Sequence, residues 1–211
     1  MIAELFTNPL SFLIWLIALL VAVDIHECSH AWMADRLGDP TARLNGRLTL
    51  NPFAHLDPLG TLALLLFRLG WGKPVPVDPY NLDNPRRDGA LISLAGPASN
   101  LILATVLAIL FRAFSVTGFV PFVLQVSYPI FLPIIILNVS LGIFNLLPIP
   151  PLDGSKILLG VLPSDLSWQI EEIFQEYGMI LLILLLIPLA GTPLIARLIF
   201  PVINFVLGLL L

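Results

Sequence analysis

The apolar positions of this chain fall in long unbroken blocks rather than in the alternating or stripe-like patterns of water-facing elements. The first block, from about Pro9 to Leu37, predicts a helix of roughly 40 Å, enough to cross hydrocarbon with a turn or two to spare. Pro9 suits a first-turn position, and Gly38-Asp39-Pro40 stops the helix. Next comes Arg43-Leu44-Asn45-Gly46-Arg47-Leu48-Thr49-Leu50, where Asn-Gly between short alternating segments predicts a β-hairpin. The apolar run from Leu59 to Leu69 is too short for a standard span. Gly72-Lys73-Pro74-Val75-Pro76-Val77 then leads into a polar connector, Asp78 to Asp88. Clear spans are predicted from Ala90 to Phe111 and from about Tyr128 to Leu147, the second closed by Pro148-Ile149-Pro150-Pro151. A polar stretch, Pro163 to Glu176, carries Glu171, Glu172 and Glu176 and is expected at the membrane interface. Two apolar runs remain, Gly178 to Leu189 and Leu194 to Leu211, separated by Gly191-Thr192-Pro193.

Composition agrees with that pattern. The 211 residues are 58% hydrophobic and only 11% charged, with mean hydropathy +0.97, which excludes a soluble domain of ordinary composition. The expected fold class is an all-α polytopic membrane protein, one domain over residues 1–211, with a core at about 9–160 and C-terminal helices at 178–211. Net charge is −4 with pI near 5.2, and no basic tract is present, so the lipid bilayer and not nucleic acid is the expected partner. Cys28 is the single cysteine, which excludes an intrachain disulfide. Met1 to Thr7 lacks the Lys/Arg n-region of a secretory signal, and the apolar stretch runs straight into the motif described next, so the first span is expected to be retained.

That motif is His26-Glu27-Cys28-Ser29-His30. Residues four apart on a helix lie one above the other, so both imidazoles can reach one Zn2+, with Glu27 beside them as general base. Two imidazoles and a carboxylate inside an apolar helix are costly in a bilayer and by default mark function. Zinc needs a third protein ligand, and the residues offer two: His55, in Asn51-Pro52-Phe53-Ala54-His55-Leu56-Asp57-Pro58, and Asp153, after the Tyr128–Leu147 span. Asp24, three residues before Glu27, is read as a solvated residue beside a water-filled site, and Cys28 as a small packed side chain.

His26-Glu27-x-x-His30, then Gly96-Pro97-x-x-Asn100, then Asn145-x-x-Pro148-x-Pro150-x-Leu152-Asp153-Gly154 resembles the site-2 protease family of intramembrane zinc metalloproteases. The motifs stand in family order over roughly residues 15–160, and the stretch at 70–77 looks like the compact members without a PDZ domain. The resemblance implies Asp153 as third ligand to a single catalytic Zn2+, and Asn145 as a substrate or oxyanion contact. His55 then becomes a residue that supports the site from behind or structures the loop. The implied reaction is hydrolysis of peptide bonds in or near the transmembrane segments of a protein or peptide substrate. Asn100 is expected buried against a polar partner, within a run of small residues that suits close helix approach.

Arg36, Arg43 and Arg47 follow the first span and no basic residue precedes it, which predicts a cytoplasmic C-terminal end of that span in a prokaryotic plasma membrane. His26 and His30 then lie toward the cytoplasmic side, and Asp153 must reach the same depth. This closes only if region 56–80 enters and leaves on one side, or crosses an even number of times; a re-entrant element and about five full crossings are predicted. Pro74 and Pro76 remove donors from one edge of an extended strand, leaving Val75 and Val77 as candidate substrate-binding residues on the other; the competing reading is a Pro-stiffened loop with no pairing partner. The competing function is a membrane zinc transporter or metal sensor using the same ligands. It has no need of Glu27 between the histidines.

Overall fold

The computed structural model describes residues 6–67, 71–116, 121–188 and 191–211. Residues 1–5, most of the stretch judged for a signal sequence, lie outside them, as do Leu69, Gly70 and Leu189, which bound three of the predicted segments. The described chain is helical: α1 (Pro9–Arg36), α2 (Thr41–Leu44), α3 (Pro58–Phe67), α4 (Pro85–Val116), α5 (Pro121–Asn145), α6 (Asp153–Val161), α7 (Ser164–Leu186) and α8 (Leu194–Leu210). Among the described residues there is no β-strand, only one isolated antiparallel bridge between Leu56 and Gly72. Among the described residues, three helical stretches are long and apolar enough to cross a membrane: Pro9–Arg36, Pro85–Ala113 and Tyr128–Asn145. The expectation of an all-α membrane protein is thus borne out in class. Helix α8 has 17 residues, and α7 carries Glu171, Glu172 and Glu176 around its middle, so neither meets the same measure.

α1 starts as its sequence dictates. The Asn8 side chain accepts from the Ser11 N–H, and Pro9 occupies the first turn, where its missing donor costs nothing. Along α1, Ala18, Ala22, His26, His30 and Ala34 form a buried ridge at every fourth position, the row that packs into the groove of a neighbouring helix. That neighbour is α4, with α5 behind both. Lipid supplies no hydrophobic drive between helices, so small side chains that let backbones approach are what such a contact requires. A second core joins α4 and α5 to α7 and α8 through Ala104, Ala108, Ile135, Val139, Leu182 and Ile199.

The Asn45-Gly46 hairpin does not form. Thr41–Leu44 is one helical turn, Gly46 takes φ +69°, and Gly46 N–H and Arg47 N–H donate to the Arg43 and Ala42 carbonyls at 3.0 and 2.9 Å. This is a Schellman C-cap. Asn-Gly supplies a left-handed glycine to a hairpin turn and to a helix end alike, and the Thr41 hydrogen bonds to Asp39 favour the helix. Asp39 itself is buried and accepts from Thr41, from Asn81 Nδ2 (2.9 Å) and from the Asp78 N–H (2.8 Å). It thereby ties the end of α1 to the turn that precedes α4.

Candidate metal centre

His26 and His30 project from α1 toward α4, and Asp153 approaches them from the first turn of α6. Its carboxylate Oδ2 lies 3.0 Å from His26 Nε2 and 3.3 Å from His30 Nε2. One donor atom from each of the three falls within 4.8 Å of the others. The two rings stand edge-on, 4.6 Å between centroids and 85° apart.

The far nitrogens decide what this cluster suits. His26 Nδ1 is 2.6 Å from Asn100 Oδ1, and His30 Nδ1 is 2.7 Å from the Ile92 carbonyl. Both partners accept, so each neutral ring carries its proton on Nδ1 and turns the Nε2 lone pair toward the Asp153 oxygen. Two lone pairs and a carboxylate facing one point repel unless a proton or a metal cation lies between them. Such a His–His–Asp set leaves room for one further ligand and matches what catalytic zinc takes. Gly96 of α4 makes the arrangement fit: a Cβ there would stand 2.8 Å from His26 Cε1 and collide with His30 Nε2.

Beside the cluster, Glu27 is half-buried, and a methyl group at Gly72 would stand 3.4 Å from its Oε1. Gly72 opens the Pro-Val-Pro-Val segment, which is held from behind. The buried Arg47 guanidinium donates to the carbonyls of Lys73 (2.5 Å) and Pro74 (2.9 Å), and the Lys73 N–H donates to the His55 carbonyl (2.8 Å). Burial pushes the Arg47 pKa down while the Glu27 charge pushes it up; the net shift is downward, and an arginine starts too high to lose its proton. Val75 and Val77 are half-buried, and no hydrogen bond to their N–H groups occurs among the described residues.

His55 is fully buried but stands apart from the metal donors. Its Nε2 lies 2.9 Å from the Thr49 carbonyl and 3.3 Å from Asp24, and its Nδ1 faces Arg47. Asp24 is only 8% exposed, which corrects its reading as a solvated residue: His55 from the following loop covers it. Asn145, at the end of α5, spends a side-chain N–H on the Leu141 carbonyl (3.1 Å) and makes no hydrogen bond to the three donors among the described residues. Asn100 is buried against His26, Ala22 and a residue the motifs did not include, Asn138. Its signal was present in the sequence as an amide in the middle of the apolar Tyr128–Leu147 block.

A His–His–Asp cluster set among membrane-length helices defines a candidate membrane metalloprotein, and comparison with known proteins narrows the class to metallopeptidases. The profile of peptidase family M50 matches residues 122–185. YwhC of Bacillus subtilis, described as a candidate zinc metalloprotease, is 40% identical over 202 residues, covering 93% of this chain and 89% of that protein. Rip2 of Mycolicibacterium smegmatis, described likewise, is 33% identical over 85% of this chain and 70% of its own length. The zinc metalloprotease MJ0392 of Methanocaldococcus jannaschii is 26% identical over 78% of this chain and 39% of its own. No solved structure matches. The chain belongs to peptidase family M50. The expected resemblance, the metalloendopeptidase activity and the zinc requirement are borne out.

Proposed function

We propose that this metalloendopeptidase cuts peptide bonds within or at the edge of the bilayer, in transmembrane segments of protein or peptide substrates. The observation that carries the reading is the meeting of His26, His30 and Asp153 from two distant parts of the chain, both imidazoles held on their Nδ1 side by α4. Bound there, zinc supplies Lewis acidity that polarises a scissile carbonyl and acidifies a water molecule. Glu27, free of any hydrogen bond among the described residues, is placed to act as the general base that would take a proton from the attacking water and pass it to the leaving amine. Asn145 retains a second amide N–H for the developing oxyanion.

A helical peptide bond is shielded by its own hydrogen bonds, so substrate must unwind before it is cut. The unpaired Val75 and Val77 N–H groups favour the 73–77 segment as the edge that receives it, with Arg47 holding the start of the segment at the Lys73 and Pro74 carbonyls. The Leu56–Gly72 bridge pairs the segments on either side of α3, and Asp39 joins the end of α1 to the turn before α4. Both contacts support a re-entrant region 56–80, with α7 and α8 completing about five crossings. By the positive charges after α1, the site opens toward the cytoplasmic side of a prokaryotic cell membrane.

The test uses purified protein, zinc and a model transmembrane peptide. Glu27→Gln should lose cleavage by at least about a hundredfold while binding zinc as the wild type does. Val75→Pro should cut far more slowly than wild type with zinc content unchanged. Cleavage by Glu27→Gln at the wild-type rate removes the general-base reading, and an unaffected Val75→Pro removes the strand edge.

A further inference from the structure

The two candidate ligand histidines are oriented by different means. His30 meets a backbone carbonyl, Ile92 O, which accepts and cannot turn. His26 meets the side-chain amide of Asn100, and an amide presents either an oxygen or an NH2 group depending on how it is rotated. Rotated the other way, Asn100 would offer N–H to His26 Nδ1, drive the ring proton to Nε2 and block the face that must hold a metal.

What prevents that rotation comes from α1 and α5 together. Both hydrogens of the Asn100 NH2 group are committed, one to the Ala22 carbonyl of α1 at 2.9 Å and one to Asn138 Oδ1 at 2.7 Å. Asn138 cannot turn either, because its own NH2 donates to the Ile134 carbonyl one turn back at 2.8 Å. Both asparagines are 0% exposed. The hydrogen bonds run in one sense: His26 N–H to Asn100, Asn100 N–H to Asn138, Asn138 N–H to Ile134. Each link is anchored by a backbone carbonyl that can only accept.

We infer that Asn138 is a positioning residue of the metal centre, locking the Asn100 amide so that its oxygen faces His26 and keeps that ring in the metal-binding tautomer. The inference rests on the assignment of His26, His30 and Asp153 as ligands. Partners behind a metal-bound histidine typically change metal affinity by about 10–100-fold, and Asn138 acts through such a partner.

The experiment is a zinc competition titration against a chelator on the full-length protein in detergent. The set is wild type, His26→Ala, Asn100→Leu, Asn138→Leu and the Asn100→Leu/Asn138→Leu double variant, with apo-protein melting recorded for each. Asn138→Leu, nearly isosteric, should weaken zinc binding about tenfold with little change in apo melting. The double variant should bind no more weakly than Asn100→Leu alone, since Asn138 has nothing left to hold. A role confined to helix packing would lower apo melting and leave the zinc affinity of folded protein unchanged. Wild-type zinc affinity in Asn138→Leu, or losses that multiply in the double variant, overturns the inference. If Asn138→Leu does not fold, Asn138→Ser replaces it: the hydroxyl can bond the Ile134 carbonyl one turn back but is too short for Asn100, and the same weakening is expected. His26→Ala separates the two levels. Undiminished zinc binding in that variant sinks the ligand assignment itself, whereas zinc lost there but kept in Asn138→Leu sinks only the role of Asn138.

Discussion

At the scale of single residues, the metal centre depends on groups that are absent as much as on those present. Gly96 lies where any side chain would strike His30 and crowd His26. Gly96→Ala adds one carbon and should push the rings out of register, reducing zinc affinity at least about tenfold while the circular dichroism of the helices stays that of the wild type; unchanged zinc content would show that α4 can retreat. His26, Glu27 and His30 were legible in the sequence because their spacing on a helix and their cost in an apolar segment point the same way. The place of Asp24 was not. Whether a carboxylate in a helix faces water or a buried imidazole depends on which loop folds over it, and His55 is 31 positions further on. Asn138 was visible as a buried amide but carried no spacing that named its partner.

At the scale of elements, the spans were legible from length and hydropathy, and α1 starts at Pro9 as its capping signal predicts. The errors fall where one local signal serves two structures. Asn45-Gly46 caps a helix instead of turning a hairpin, since a left-handed glycine suits both. The acidic stretch Pro163 to Glu176 and the apolar run after it are continuous in α7, although Gly178 lies at the join. A glycine within a helix costs only about 1 kcal/mol, and here it admits Pro150, whose Cγ would stand 2.8 Å from a Cβ at that position. That contact brings the proline-rich turn before Asp153 against α7, which periodicity does not reveal.

At the scale of the whole molecule, the proposed path requires that the chain after α1 and the chain before α4 share one face of the membrane. Leu44 is 78% exposed and Tyr80 is 98% exposed, so both are suited to labelling. In a Cys28→Ser background, Leu44→Cys and Tyr80→Cys should react with an impermeant maleimide from the same side of sealed vesicles, and labelling from opposite sides would break the topology. The sequence reached this arrangement only by requiring Asp153 to meet His26 at one depth; no local pattern encodes it. The clasp that joins those two segments also has a chemistry of its own. Burial raises the Asp39 carboxyl, but hydrogen bonds from Thr41, Asn81 and the Asp78 backbone outweigh it and hold the pKa below the ordinary aspartate value. With the folded value below the unfolded one, the clasp stabilises fully at neutral pH and is lost as pH falls through the ordinary range into the folded value. Melting temperature should therefore drop on acidification, and Asp39→Asn should lower it at neutral pH while flattening that dependence. Acid on the face where α1 ends would then loosen the tie between that helix and the turn before α4.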